Sequence, residues 1–404
     1  MRPNARYALG LLFAVNLVNY IDRQVLYALL PLVKAEFHAS DAMLGTLASA
    51  FMAVYMCSAP PIGYLADRTR RAFWIAFGLF FWSLSTVFSG LSRTFVQLFA
   101  ARAAVGIGEA CYGSVAPSFV AEHFPRNRRG EVLALFSMAI PVGSALGYVL
   151  GGALGHHFGW RSAFFVVGLP GILMAALAWR LPDPRTGAEA LSVPGLREYA
   201  GLYRNRSYLA STLAMAAMTF CLGGFAVWMP TFFNRYWAMD VSRAGLVFGG
   251  ITVAGGLLGS LLGGWLGDRL LPVTGKAYFL VSGIGLLLAL PAGALAVTAH
   301  SLGLSLAAVF VTELLAFLNM GPLNGVIVAV TPRPVRSMAF AANIFVIHLL
   351  GDAASPAIIG RISDAAGLRS GLLFAMLFLG LSGAICLWGA RHVEEDSRAA
   401  EEHD

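Results

Sequence analysis

Predominantly apolar stretches recur along the whole chain, separated by short polar turns. They lie near residues 7–33, 42–66, 72–91, 95–123, 130–155 and 161–180, then near 207–233, 241–267, 277–299, 302–330, 335–361 and 369–390. Each reaches the roughly twenty residues that a helix needs to cross about 30 Å of hydrocarbon. None shows the period-two alternation of a membrane barrel strand, so helices must supply the backbone hydrogen bonds. The pattern predicts an all-α integral membrane protein of twelve transmembrane helices. Its longest polar segment, Leu181–Arg206 with Pro182, Pro184 and Pro194, divides the spans six and six. The expected organisation is a six-helix bundle over 1–180, a cytoplasmic connector over 181–206, a second bundle over 207–390 and a cytoplasmic tail over 391–404. The tail carries Glu394, Glu395, Asp396, Glu401 and Glu402 and is expected to be disordered.

Composition agrees. Of 404 residues, 58% are hydrophobic and only 12% charged, whereas soluble domains carry about 25% charged residues. The mean hydropathy is +0.72. A net charge of +7 raises the possibility of a nucleic-acid partner, but its distribution argues against one. Arg68/Arg70/Arg71, Arg126/Arg128/Arg129, Arg269/Lys276 and Arg333/Arg336 fall in alternate loops, as an orientation with both termini cytoplasmic requires. Membrane lipids are the partners this charge implies. The four cysteines, Cys57, Cys111, Cys221 and Cys386, lie inside spans without metal-ligand spacing and read as buried free thiols. The first apolar run contains Asp22 and Arg23 and lacks a small-residue cleavage site, so it reads as a span rather than a signal peptide. Gly106-x-Gly108 has no preceding strand, and Gly275-Lys276 lacks the other residues of a P-loop. No cofactor, metal or enzymatic activity is expected.

An internal repeat sharpens the picture. Gly63-Tyr-Leu-Ala-Asp67-Arg68 follows the second span, and Gly264-Trp-Leu-Gly-Asp268-Arg269 follows the eighth. Half-length repeats are how secondary transporters are built. Gly63 to Arg71 resembles the loop signature of the major facilitator superfamily, with Arg70 where glycine is usual. Arg102-x-x-x-Gly106-x-Gly108 resembles its fourth-helix signature, and Pro141/Gly143/Gly147/Gly151/Gly152 its fifth. Three runs resemble the Spinster family more narrowly: Asn19-Tyr-Ile-Asp-Arg23, Gly106-Ile-Gly-Glu-Ala110 leading to Ala116-Pro117, and Ile140 to Tyr148. The resemblance implies two bundles related by a pseudo-twofold axis, alternating access, and lysophospholipid- or sphingoid-phosphate-like cargo. Asn-Tyr-x-Asp-Arg with Gly106-x-x-Glu109 also resembles organic-anion symporters, so a sugar-acid symporter stays open, as does a proton-coupled multidrug exporter. A monomer in a bacterial inner membrane is expected.

Ionisable residues at membrane depth are costly and usually functional. Asp22 and Glu109 both fall near the bilayer midplane, on the first and fourth spans, and are candidate proton carriers. Arg102 and Glu109 are seven apart and share a helix face, while Arg23 points about 100° away from Asp22 and is placed to reach the fourth span. These four residues are the expected coupling set. The candidate substrate-contacting residues are Arg23, Tyr27, Tyr112, Trp228, Glu313 and Asn319. His348 and Asp352 are four apart and can pair. The resemblance implies that Gly63, Asp67, Arg68, Arg71, Gly264, Asp268 and Arg269 form a conformational gate. Glycines recurring every four residues, Gly143/Gly147/Gly151 and Gly255/Gly259/Gly263/Gly267, mark faces where helices approach closely.

Overall fold

The computed structural model describes residues 5–125, 128–183, 202, 204–332 and 335–401. Most of the connector, with Pro184 and Pro194, lies outside these residues, as do Arg126, Arg333 and Glu402. The described chain is all helical: α1 (Ala5–Phe37), α2 (Asp41–Arg68), α3 (Arg71–Leu91), α4 (Phe95–Gly113), α5 (Ala116–Glu122), α6 (Arg129–Ser137), α7 (Ala139–Phe158) and α8 (Trp160–Trp179) come first. After the connector follow α9 (Arg206–Trp237), α10 (Val241–Leu270), α11 (Ala277–Thr298), α12 (Leu302–Phe317), α13 (Met320–Val330), α14 (Arg336–Leu350), α15 (Ser355–Ala366), α16 (Leu368–Gly389) and α17 (Val393–Glu401). Among the described residues, ten helical stretches are long and apolar enough to cross a membrane. α1 and α4 are not among them, because each carries an acidic and a basic residue within its length: Asp22 with Arg23, and Arg102 with Glu109.

Four of the spans read as continuous in the sequence are interrupted. The fourth breaks between α4 and α5, the fifth between α6 and α7, the tenth between α12 and α13, and the eleventh between α14 and α15. These are matching spans of the two halves. In each case a proline sits within the first turn after the break: Pro117, Pro141, Pro322 and Pro356. Proline has no N–H to give the preceding turn, but it is well accommodated where a helix begins. The repeat therefore extends from the loop motif to the places where helices break.

Contacts gather the described residues into two compact units, one within Met1–Leu191 and Ala226–Gly250, the other within Ser192–Phe225 and Ile251–Asp404. In the first, α1 packs on α7, and α4 packs on α2 and α3. The α7 glycine stripe makes the first contact possible: a Cβ at Gly147 would lie 2.6 Å from the Ile21 carbonyl oxygen. In the second unit the α10 stripe does the same against α12, where Gly263 meets the backbone of Leu318. Close helix approach through small residues is the dominant packing device in membranes, where apolar burial gives no net advantage over lipid.

Two expectations are corrected. The charged tail is not disordered: residues 393–401 form α17, which packs on α13. Its first turn holds Glu394, Glu395 and Asp396, where acidic groups favour a helix N-terminus. Val393 and Ala400 are buried, and the Asp396 carboxylate accepts from the Ser207 N–H at 2.8 Å, at the start of α9. Charge density alone hid that apolar stripe. Of the thiols, Cys111, Cys221 and Cys386 are buried, but Cys57 is exposed on α2.

Candidate functional site

Two ion pairs join α1 to α4. Arg102 Nη1 donates to Asp22 Oδ1 at 2.9 Å, and Arg23 Nε donates to Glu109 Oε2 at 2.6 Å. Neighbouring residues on α1 thus reach positions seven apart on α4. The long guanidinium side chains make this possible, one contributed by each helix. Thr86 Oγ1 of α3 donates to the second Asp22 oxygen at 2.5 Å, so this carboxylate has both oxygens occupied.

The pairs differ in access. Asp22 and Arg102 are sealed, with side chains 1% and 2% exposed, whereas Arg23 is 16% exposed over a fully buried Glu109. Arg23 and Glu109 line a cavity of about 200 Å³ together with Asn16, Asn19, Tyr55 and Tyr112. The Arg23 guanidinium stands 5.1, 5.0 and 5.4 Å from the ring centroids of Tyr20, Phe51 and Tyr55. Aromatic faces at this distance stabilise a cation that has few water partners. Separating the sealed Asp22–Arg102 pair strands a charge, at a cost of about 3–5 kcal/mol.

The other candidates take distinct positions. Tyr112 donates its hydroxyl to the Leu12 carbonyl at 2.7 Å and is among the residues lining the cavity. Tyr27 lies on α1, one turn beyond Arg23, and is partly buried. Trp228 is completely buried. In the second unit, Glu313 is 3% exposed, with Oε2 unpartnered, and packs against Gly255. The Asn319 amide donates to the Ala316 carbonyl at the break between α12 and α13. Asn319 thus satisfies a helix end. His348 Nδ1 and Asp352 Oδ1 are 2.9 Å apart, beside the break after α14.

The two repeated loops are built differently. Arg71 is buried and binds Glu122 of α5 and Asp183 beyond α8; Nη1 to Glu122 Oε1 is 3.0 Å and Nη2 to Asp183 Oδ1 is 3.5 Å. Arg68 covers the Tyr64 ring at 3.5 Å. Asp268 instead accepts from the Tyr278 hydroxyl at 2.8 Å, and Arg269 stands 5.5 Å from the Trp265 ring centroid. Pro272 occupies the place of Arg71 in the second loop, so that loop lacks the corresponding cation. A Cβ at Gly264 would meet nothing within 4 Å, and one at Gly63 only the Ser114 Cβ at 4.0 Å.

One cluster was missed in the sequence. Asp41, 2% exposed at the start of α2, takes Arg235 from α9 through both oxygens, at 2.7 and 2.9 Å, and also pairs with Lys34. Beside it, Ser40 caps α2 by accepting from the Met43 N–H at 3.1 Å. Nearby, Arg161 grips Glu36 with two 2.6 Å hydrogen bonds, and together with Trp160 it holds the Glu36 carboxyl below its usual range. Close by in the same unit, Tyr148 donates to the Ala226 carbonyl at 2.8 Å, and Gly152 and Gly245 leave room for α7 and the start of α10 to meet at their backbones.

Comparison with known proteins bears on this arrangement. The Major Facilitator Superfamily model matches residues 12–356. Protein spinster of Drosophila melanogaster is 34% identical over 375 residues, which are 89% of this chain and 62% of the fly protein. The sphingosine-1-phosphate transporter SPNS2 of Danio rerio is 33% identical over 386 residues, 89% of this chain and 76% of the relative. The crystal structure of a bacterial homolog to the human lysosomal transporter Spinster, inward-facing and unoccupied, matches with a TM-score of 0.90 at 24% identity. That match covers 98% of this chain and 99% of that one.

Proposed function

Since this chain belongs to the major facilitator superfamily, among the Spinster proteins, and is therefore a multi-pass membrane transporter rather than an enzyme, we propose that it carries an amphipathic, lipid-like solute coupled to protons. The observation that carries this reading is the half-open Arg23–Glu109 pair on the wall of a small cavity that mixes polar and apolar side chains. Arg23 is the cation available to an anionic head group, because Arg102 is sealed on Asp22. A cavity of about 200 Å³ takes a head group; the acyl chain must lie elsewhere, along apolar surface.

Coupling follows from competition. When a proton neutralises Glu109, Arg23 loses its counter-charge and turns to an anionic ligand; when the ligand leaves, the pair re-forms and the proton is released. Asp22 and Arg102 serve as the second, more deeply held pair of the same relay. Alternating access exposes the cavity to one side and then the other, with the Asp67 and Asp268 loops as gate elements. Tyr27 and Trp228 in the first unit, and Glu313 and Asn319 in the second, are each taken as separate cargo-contacting residues. The protein acts as a monomer in a bacterial inner membrane, with both termini in the cytoplasm.

The test is a proteoliposome panel of lysolipids, sugar acids and cationic dyes, each with and without an imposed pH gradient. Gradient-dependent uptake of lysolipids is expected. Uptake of a sugar acid alone would replace the lipid with an organic anion, and uptake of dyes alone would favour an exporter of drugs.

A further inference from the structure

Arg70 stands where the loop signature of the superfamily usually has glycine, and it takes no part in the proposed gate. It is exposed, just before α3. Its Nη2 donates to the carbonyl of Trp179, the last residue of α8, at 2.8 Å, and its guanidinium lies 5.8 Å from the Trp179 ring centroid. That carbonyl belongs to the peptide group leading into Arg180, so Arg70 Nη2 is within about 6 Å of the Arg180 Cα. Arg180 is exposed as well, and among the described residues neither arginine has a carboxylate partner. The carboxylates at this end of the helices are spent on Arg71. Asp183 accepts from its N–H at 3.1 Å and pairs with its side chain, and Glu122 takes Nη1 at 3.0 Å. Two cations gathered without a counter-charge leave a place for an anion, and an arginine that has spent one of its five N–H donors keeps four for it.

A ladder of rings runs from this place along α3. Phe73 meets Trp179 edge-on with centroids 5.7 Å apart, Phe77 stacks on Phe73 at 5.9 Å, and Phe81 stacks on Phe77 at 5.8 Å. Phe73, Phe77 and Trp179 are 37%, 38% and 50% exposed. From Phe73 to Phe81 the ladder rises about 12 Å, most of the roughly 15 Å that one leaflet contributes to the hydrocarbon. Both helices are long and apolar enough to cross a membrane, so lipid chains are what these rings meet. We propose that Arg70 and Arg180 hold the phosphate of an anionic phospholipid of the surrounding membrane, whose chains lie along Trp179, Phe73, Phe77 and Phe81. A choline head group would bring a third cation to the same spot, so the site favours lipids with net negative charge. None of these residues lines the Arg23–Glu109 cavity. The lipid is therefore a resident that ties the start of α3 to the end of α8, whatever the cargo.

Native mass spectrometry of the full-length protein in detergent tests this, with palmitoyl-oleoyl phosphatidylglycerol and the matching phosphatidylcholine offered in equal amounts. The wild type is expected to retain phosphatidylglycerol over phosphatidylcholine by roughly 25-fold, about fivefold from each arginine. Arg180→Gln alone leaves the bond from Arg70 to Trp179 in place and should lose about fivefold of that preference. Arg70→Gln with Arg180→Gln should bring it within about twofold. Arg391→Gln, at an exposed arginine of the second unit, should leave it unchanged. Glycerophosphoglycerol, the same head group without chains, should not displace the lipid at millimolar concentration. A wild type that retains both lipids equally, or a double variant that keeps the preference, would overturn the site. Equal losses in Arg180→Gln and Arg391→Gln would show a charge effect spread over the surface instead. Displacement by the bare head group would overturn the role of the ring ladder and with it the assignment to a lipid.

Discussion

Arg102 and Arg23 bring the same charge into the same bundle, yet their surroundings give them different tasks. Arg102 has a 2% exposed side chain, and its partner Asp22 has a third group, Thr86, on its other oxygen. Removing Arg102 strands a carboxylate with no route to solvent. Arg102→Gln is therefore expected to cost about 3–5 kcal/mol, visible as a large drop in thermal unfolding temperature in detergent. Arg23→Gln should cost markedly less, since Arg23 borders the cavity and water can reach the site; equal losses would contradict the division of labour. That Asp22, Arg23, Arg102 and Glu109 form one set was legible in the sequence, because charges at membrane depth stand out against an apolar background. Their pairing was legible only in part. Spacing put Arg102 and Glu109 on one face, but which carboxylate takes which cation depends on side-chain reach. Asp41 and Arg235 were not legible at all. They lie far apart in sequence at helix ends, where charged residues are common and carry no signal by themselves.

At the scale of elements, the glycines divide into two kinds that the sequence does not distinguish. Gly147 sits against the backbone of α1, whereas Gly264 faces open space. Gly147→Ala forces α1 and α7 apart and is expected to destabilise by about 1–3 kcal/mol, as overpacking does. Gly264→Ala should leave thermal stability within error, even though Gly264 belongs to a repeated motif and Gly147 to a simple stripe. A parallel series of melts in detergent checks both, and a costly Gly264→Ala would show that its motif position packs more tightly than its surroundings indicate. The helix breaks were missed for a related reason. Hydropathy reports whether a residue suits lipid, not whether its N–H has a partner, so Pro117, Pro141, Pro322 and Pro356 leave the apolar runs looking continuous. α17 was missed because acidic residues were read as a solvated tail. Asp396→Asn keeps the shape but weakens a charge-assisted bond to the start of α9, so a loss of about 1 kcal/mol is expected, and a variant as stable as the wild type would show that the docking of α17 rests on Val393 and Ala400 alone.

For the whole molecule, the duplication that the sequence displays is real in its frame and unequal in its chemistry. Both halves have six spans, a Gly-x-Leu-x-Asp-Arg loop, a glycine stripe and matching helix breaks. The first unit joins α1 to α4 by two pairs of charges. The second holds Glu313 and the His348–Asp352 pair without a guanidinium shown on either. The Asp41–Arg235 contact ties the end of α9 to the start of α2 within the first unit. Arg235→Gln leaves Lys34 on Asp41 but removes the two-pronged hold. The variant is expected to lose about 1–2 kcal/mol, read as a lower thermal unfolding temperature in detergent; a variant as stable as the wild type would show that Lys34 alone holds Asp41.

Proton coupling through Glu109 is the central claim, and lipid-driven proton flux tests it most directly. Proteoliposomes loaded with a pH-sensitive dye are exposed to lysophosphatidate, with the wild type and Glu109→Gln reconstituted at equal density. The wild type should shift lumenal pH as lipid is taken up, and Glu109→Gln should show no proton movement. Lipid uptake by Glu109→Gln with undiminished proton flux would contradict the account.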